Sequence, residues 1–291
     1  MKTLYFDCFS GISGDMVIGS LIDAGADPNQ LIEELKKLQI EDEYKLQWKK
    51  IVKNGITSTK FDVKLVNNSI EGRHDLHHHA HKHDHGHSHE HEHNHDHHHE
   101  HEHAHDHDHH HNHEHGHHHH HHDHRSYQDI VELIKSAGFS QQVEETALKI
   151  FKRIGEAEGL IHGIPLEKVH FHEVGAVDSI IDIIGAAILV HQLAINVIKS
   201  SPIPVGAGRI HIDHGIYPVP APATLEILKG VPIEQSNIRA ELTTPTGAAI
   251  VAVLAEEFCS HPSMKVQAIG YGAGTKTFAD HPNVLRVIIG E

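Results

Sequence analysis

At 291 residues the chain is long enough for one large domain or two small ones with a real hydrophobic core, and its formal charge is −16 at pH 7. Net acidity without a basic cluster argues against nucleic acid or an anionic membrane surface as partner. Two cysteines, Cys8 and Cys259, exclude a disulfide framework and a four-cysteine zinc site. The longest apolar region, 174–195, is interrupted by Asp178, Asp182 and His191, so it is no membrane span. The first residues, Met1 to Asp7, reach an acid at once and lack the apolar core of a secretion signal, so a cytoplasmic location is expected.

Residues 3–6 form a short apolar run of strand formers, followed by a glycine turn and a helix in which Met16, Ile18, Leu21 and Ile22 recur at helical spacing until Gly25. Asp27-Pro28 caps a second helix reaching about Leu38. Alternating Leu46 and Trp48, then Phe61, Val63 and Leu65, predict two strands joined at Asn54-Gly55. Helices are predicted over 127–137 and 141–158, with Gly138 and Ser140 as stop and start signals, and a largely buried helix over 177–193. Residues 169–174 read as a short extended segment. Strands are expected over 197–205 and 209–213, helices over 220–228 and 246–258, and closing strands over 265–271 and 284–289. Interspersed strands and helices predict an α/β or α+β layered fold with a mixed sheet.

Residues 73–125 break this pattern. Of the 39 histidines, 31 lie between His74 and His124, beside 11 acids and one base, Lys82. With almost no residue able to pack, the stretch is expected to be a disordered insertion within one folded α/β unit made of 1–72 and 126–291. Neutral imidazole suits nickel, copper, zinc or cobalt. His85, His87, His89, His91, His93, His95 and His97 alternate along the chain, and His117, His118, His119, His120, His121 and His122 are consecutive. Many overlapping ligand sets therefore compete for each ion, and the interleaved acids help to gather cations. Each imidazole must be neutral to bind, so the tract is pH-sensitive, and the formal charge moves from −16 towards +23 as all 39 histidines protonate. A low-complexity expansion without function is the plain alternative. Floppy ligands store or deliver; they do not hold a transition state.

Four segments of the folded part combine glycine with polar groups. In Asp7-Cys8-Phe9-Ser10-Gly11-Ile12-Ser13-Gly14-Asp15, backbone N–H groups at a helix start can hold a phosphate or carboxylate, although Asp15 would repel that anion and serve instead a metal or the helix cap. The second is His170-Phe171-His172-Glu173-Val174-Gly175-Ala176-Val177-Asp178. If extended, it projects His170 and His172 to one face, and Asp178 and Asp182 share a face of the following helix. Satisfied histidines and a helix-capping Asp178 are the alternative there. In the third segment Arg209, His211 and Asp213 share a strand face and His214 follows in the turn. The fourth joins Glu241-Leu242-Thr243-Thr244-Pro245-Thr246-Gly247 with Gly270-Tyr271-Gly272-Ala273-Gly274-Thr275-Lys276, whose hydroxyl and backbone donors again suit an anion. Together they suggest a polar cleft for a phosphorylated or carboxylated small molecule.

The opening Leu4-Tyr5-Phe6-Asp7-Cys8-Phe9-Ser10-Gly11-Ile12-Ser13-Gly14-Asp15-Met16 resembles the start of the nickel-pincer cofactor insertases (the LarC family). The segment from His170 to Ser179, His214-Gly215, the 218–224 and 241–248 stretches, and Gly270 to Lys276 with Pro282-Asn283-Val284-Leu285-Arg286 resemble further signatures of that family, in order along nearly the whole chain outside the tract. The resemblance implies a lyase-type chelatase that inserts Ni²⁺ into pyridinium-3,5-bisthiocarboxylic acid mononucleotide, with a lactate racemase-type apoenzyme receiving the product. It also implies a further C-terminal domain that uses CTP with Mn²⁺ or Mg²⁺. This chain ends at Glu291, where that domain would begin, so the domain is expected on a separate chain or a longer product. On this reading Ser10, Gly11, Ser13, Gly14, Asp15, Thr243, Thr244, Thr246 and Gly247 hold the substrate. His170, His172, Glu173 and Asp178 pass nickel to it, and one of these acids takes the proton released on metallation. His211 and His214 join the tract histidines as metal ligands. A non-catalytic nickel store, which needs only the tract, is the competing hypothesis. A metallohydrolase is disfavoured by the lack of an HExxH-like helix pair.

Overall fold

A computed structural model describes residues 1–66, 125–171, 176–212 and 215–291. Nearly all of the predicted insertion, including its histidines, lies outside the described residues, as do 172–175 and 213–214. In chain order the elements are β1 (Thr3–Asp7), α1 (Gly14–Asp23), α2 (Pro28–Leu35), β2 (Tyr44–Lys53), β3 (Ile56–Leu65), α3 (Tyr127–Ser136), α4 (Gln141–His162) and α5 (Val177–Gln192). Then come β4 (Val197–Ser200), β5 (Ile203–Pro204), β6 (Arg209–Ile212), β7 (Gly215–Pro218), α6 (Pro222–Ile227), β8 (Ile233–Glu234), α7 (Pro245–Leu254), β9 (Glu257–Phe258), β10 (Val266–Ala273) and β11 (Val284–Gly290). Seven strands form one mixed sheet in the order β2-β3-β10-β11-β1-β4-β9, so the fold is α/β as expected. β1 runs antiparallel to β11 and parallel to β4, which places the first strand of the chain in the interior of the sheet, beside the central β11.

The helices build outward from one face. α1 lies on β10 and β3, α5 packs on α1, and α4 covers α5 and α7. Leu4, Phe6, Val287 and Ile289 from the sheet meet Val17, Ile18 and Leu21 of α1 and Ile180, Ile181 and Ile184 of α5, all essentially closed to solvent. Each such aliphatic side chain contributes about 1.5–3 kcal/mol on burial. α1 can sit this low because β10 carries glycine where the helix backbone crosses. A Cβ at Gly270 would lie 2.0 Å from the Ser20 carbonyl oxygen, and one at Gly272 would lie 1.9 Å from that of Met16.

Local chemistry accounts for the element boundaries. The Asp27 carboxylate accepts the Asn29 N–H at 2.8 Å and starts α2. Asn54 and Gly55 both take positive φ (45° and 84°) in the two-residue turn of the β2–β3 hairpin. Ser126 and Asp129 form a reciprocal capping box at α3. Two expectations are corrected. The strand expected over 197–205 divides, because Pro202 offers no N–H, and the chain turns away so that β5 pairs with β8. The helix expected over 246–258 stops at Leu254: the Glu256 N–H donates to the Ile198 carbonyl (2.8 Å) and the Cys259 N–H to that of Ser200 (2.9 Å), so the open edge of β4 draws 257–258 into a strand. Among the described residues no helix is long and apolar enough to cross a membrane.

Candidate functional site

Two glycine turns lock together and bring three helix starts to one place. Gly11, at φ +86°, presses its backbone against Leu242, where a Cβ would lie 2.0 Å from the carbonyl oxygen. The Thr244 N–H donates to the Ile12 carbonyl at 3.1 Å. A Cβ at Gly247 would lie 2.1 Å from that same Ile12 oxygen. The starts of α1 and α7 are thereby side by side, each presenting its first-turn backbone N–H groups and the positive end of a helix dipole. α5 arrives from the third side, its Asp182 carboxyl against Gly14, where a Cβ would lie 2.5 Å from Asp182 Oδ2. A cavity of about 470 Å³ opens here, walled also by β3, by β6 and by Glu241 and Thr275.

Carboxylates dominate this cavity. Asp15, Asp62, Asp178, Asp182 and Glu241 line it against one lysine, Lys60, and one imidazole, His211. Lys60 is nearly buried, and its Nζ lies 2.7 Å from Asp15 Oδ2 and 2.8 Å from Asp62 Oδ1 while donating to the Phe61 carbonyl at 2.9 Å. Burial by itself would push the Lys60 pKa down, but Asp15 and Asp62 outweigh it and hold the ammonium above the ordinary lysine value. Ser13 Oγ donates to Asp15 Oδ1. Asp182 is the opposite case. Burial first, then the charges of Asp15 and Asp178, raise its pKa well above the carboxylate range, opposed by Lys60 and by the Asp15 backbone N–H. Asp182 Oδ1 is sequestered from solvent and has no hydrogen-bond partner. The excess of acid makes the cavity attractive to cations, with the two helix starts as its anion-friendly rim.

The structure brings Ser13, Gly14, Asp15, Asp178, His211, Thr244 and Thr246 to the cavity. Asp178 stands in the first turn of α5, its Oδ1 accepting the Ser179 N–H at 2.9 Å. The Thr244 hydroxyl caps α7 by accepting the Gly247 N–H at 3.2 Å. Ser10, Gly11, Thr243 and Gly247 serve the scaffold around the cavity. Ser10 is fully buried and bonds His281 Nε2 (2.7 Å) and the Pro282 carbonyl, and Thr243 donates to the Pro204 carbonyl at 2.8 Å. His170 is exposed and bridges to Ser126 at the start of α3, away from the cavity lining. His172, Glu173 and His214 lie outside the described residues, as do all the tract histidines. Nothing in the sequence singles out Lys60 and Asp62, which look like the polar face of a strand whose apolar face is Phe61 and Val63.

From residue 4 to residue 291 the sequence matches the family described as nickel insertion protein. The chain belongs to that family. It is 49% identical over 291 residues to a Geobacillus kaustophilus protein, covering all of this chain and 60% of the relative. It is 44% identical over 291 residues to one from Clostridium kluyveri (100% and 62%) and 43% identical over 289 residues to one from Staphylococcus epidermidis (99% and 59%). All three are named pyridinium-3,5-bisthiocarboxylic acid mononucleotide nickel insertion protein. The chain thus spans about 60% of the length of these curated relatives. No solved structure matches it.

For this nickel insertion family member, the Lys60 cluster is open to direct test. Lys60→Met removes the only lysine among the described residues of the cavity lining and leaves Asp15 and Asp62 without their ion-pair partner. Breaking a fully buried pair costs about 3–5 kcal/mol. Because the two carboxylates retain partial solvent access, a loss of about 1–3 kcal/mol in urea unfolding is expected. An unchanged midpoint would show that the lysine contributes no stability.

Proposed function

We propose that this chain takes Ni²⁺ as a substrate and inserts it into pyridinium-3,5-bisthiocarboxylic acid mononucleotide, a chelatase reaction of the lyase class. The observation that carries the reading is the acid-lined cavity at joined helix starts, in a chain whose relatives are named for this insertion. The cavity's negative charge favours the metal, and imidazole and sulfur both suit nickel, so transfer from histidine to thiocarboxylate is chemically natural. Thr244, Thr246 and the α7 start are suited to the nucleotide phosphate, with Ser13 and Gly14 across from them. His211 offers a neutral imidazole at the cavity wall, and Asp178 draws the cation inward. His170, His172 and Glu173 belong to the same reading as a route from the histidine tract.

The recipient in this proposal is a lactate racemase-type apoenzyme. CTP with Mn²⁺ or Mg²⁺ is assigned to the part of the relatives that this chain does not span. Among the described residues no three His, Cys, Asp or Glu side chains are grouped to hold a metal ion. The test mixes the chain with precursor nucleotide and Ni²⁺, with and without CTP and the C-terminal portion of a relative, and reads the mass of the nickelated nucleotide. Product formation is expected. Absence of precursor binding by calorimetry and of product under every condition would overturn the reading. A non-catalytic nickel store is favoured by one observation only, the composition of the tract, and the deletion argued below separates the two.

A further inference from the structure

We infer that Asp182 is the base that takes the ring proton as nickel bonds to carbon. The inference rests on the insertion reading above. The named precursor carries thiocarboxylates at ring positions 3 and 5, which flank the C–H at position 4. A nickel ion held by both sulfurs would lie next to that carbon. Forming the carbon–nickel bond then breaks the C–H bond: the C–H electron pair becomes the bond to nickel, and a proton must leave. No electron is gained or lost overall, so the step needs an acceptor for H⁺ and no oxidant or reductant.

The geometry points to one acceptor. Asp15 and Asp62 have oxygens committed to Lys60, and Asp178 Oδ1 accepts the Ser179 N–H. Asp182 lines the same cavity and is not paired to the lysine: it accepts the Asp15 backbone N–H, its Oδ2 lies against the Gly14 backbone, and its buried Oδ1 has no hydrogen-bond partner among the described residues. The charged and titratable groups facing it are Asp15 on α1, Asp178 one turn before it on α5 and Lys60 on β3, with Asp62, His211 and Glu241 elsewhere on the cavity wall. Burial and the two neighbouring aspartates raise its pKa, which makes it a stronger base than an ordinary carboxylate. On taking the proton it becomes neutral, the state its surroundings prefer. The sign follows. Below the raised pKa Asp182 already holds a proton and cannot accept another, so the insertion rate should climb as pH passes upward through that value.

The experiment uses the 291-residue chain with Ni²⁺ and precursor, under the condition in which the wild type forms product, and compares Asp182→Asn. Asparagine keeps the size and an acceptor oxygen against α1. Precursor affinity should stay within about threefold, the carbon-nickelated product should form about 10²–10⁴-fold more slowly, and the rising pH limb should vanish. Asp182→Glu should restore part of the rate with the limb. Should Asp182→Asn fail to fold, Asp178→Asn reads the same point: with one repelling charge gone, the limb should move to lower pH. Product formation by Asp182→Asn within threefold of wild type, or a limb that Asp178→Asn leaves in place, overturns this inference alone. A wild type that forms no product overturns the insertion reading and this one with it.

Discussion

Deleting residues 74–124 should strip the chain of almost all the nickel it binds while leaving product formation at saturating Ni²⁺ within a few-fold of wild type. The stretch holds 31 of the 39 histidines, and the described residues that line the cavity all come from outside it. Equilibrium dialysis should therefore show several ions per chain falling to about one. At limiting nickel the deletion should slow insertion by roughly tenfold, because local concentration, not chemistry, is what the histidines supply. Acidification should mimic the deletion: imidazole must be neutral to bind, so ions held by the intact chain are released as pH falls below about 6. The fold should tolerate the cut, since shortening a loop of this size changes closure entropy by only about 2 kcal/mol. Loss of product even at saturating nickel would make the tract part of the insertion site. Retention of the bound ions would end its role as a reservoir.

Gly11→Ala should be the most damaging single methyl group near the site. Alanine at φ +86° carries backbone strain, and its Cβ would lie 2.0 Å from the Leu242 carbonyl oxygen, an atom with no freedom to retreat. Strain and overlap together amount to about 3 kcal/mol. For a domain of this size the melting temperature should fall by roughly 10 °C. Gly25→Ala is the matched control. Gly25 also has positive φ, at 111°, but nothing lies within 4 Å of the added Cβ. Only backbone strain applies there, about 1 kcal/mol. The two variants should also differ in activity, because Gly11 touches the contact that seats the starts of α1 and α7 together. Equal shifts in melting would mean that the overlap at Leu242 relaxes without consequence.

Much of the fold is legible in the chain because local chemistry and tertiary need agree there. Asp27-Pro28, Asn54-Gly55 and Ser126 with Asp129 announce their cap, turn and capping box, and the buried α5 is visible as an apolar run of helical length. Where a partner strand decides, sequence pattern fails. Glu257 and Phe258 continue a helical pattern but leave it for the edge of β4, an option that exists only once the sheet is built. The site divides along the same line. Ser13, Gly14, Asp15, Asp178, His211, Thr244 and Thr246 stand in motifs, whereas Lys60 and Asp62 become cavity residues only because α1 and α5 start beside β3. Asp182 is placed by spacing on the face of Asp178, yet its packing against Gly14 and the pKa raised by burial and by Asp15 and Asp178 exist only once α1 and α5 have met. Gly11 and Gly247 hold two backbone turns against each other, a contact that sequence spacing does not announce.

Glu43 has a consequence for how such a protein can change over time. Its carbonyl accepts the Val66 N–H at 2.8 Å, and its carboxylate pairs with Arg125 at 2.5 Å, so the last described residue before the histidine-rich stretch and the first after it are tied to a single residue. Whatever length of sequence intervenes, the sheet and helices meet the same anchor. If the stretch gathers ions as the deletion tests, it is in effect a cassette: lineages facing nickel scarcity or excess can lengthen, thin or exchange it without renegotiating the core.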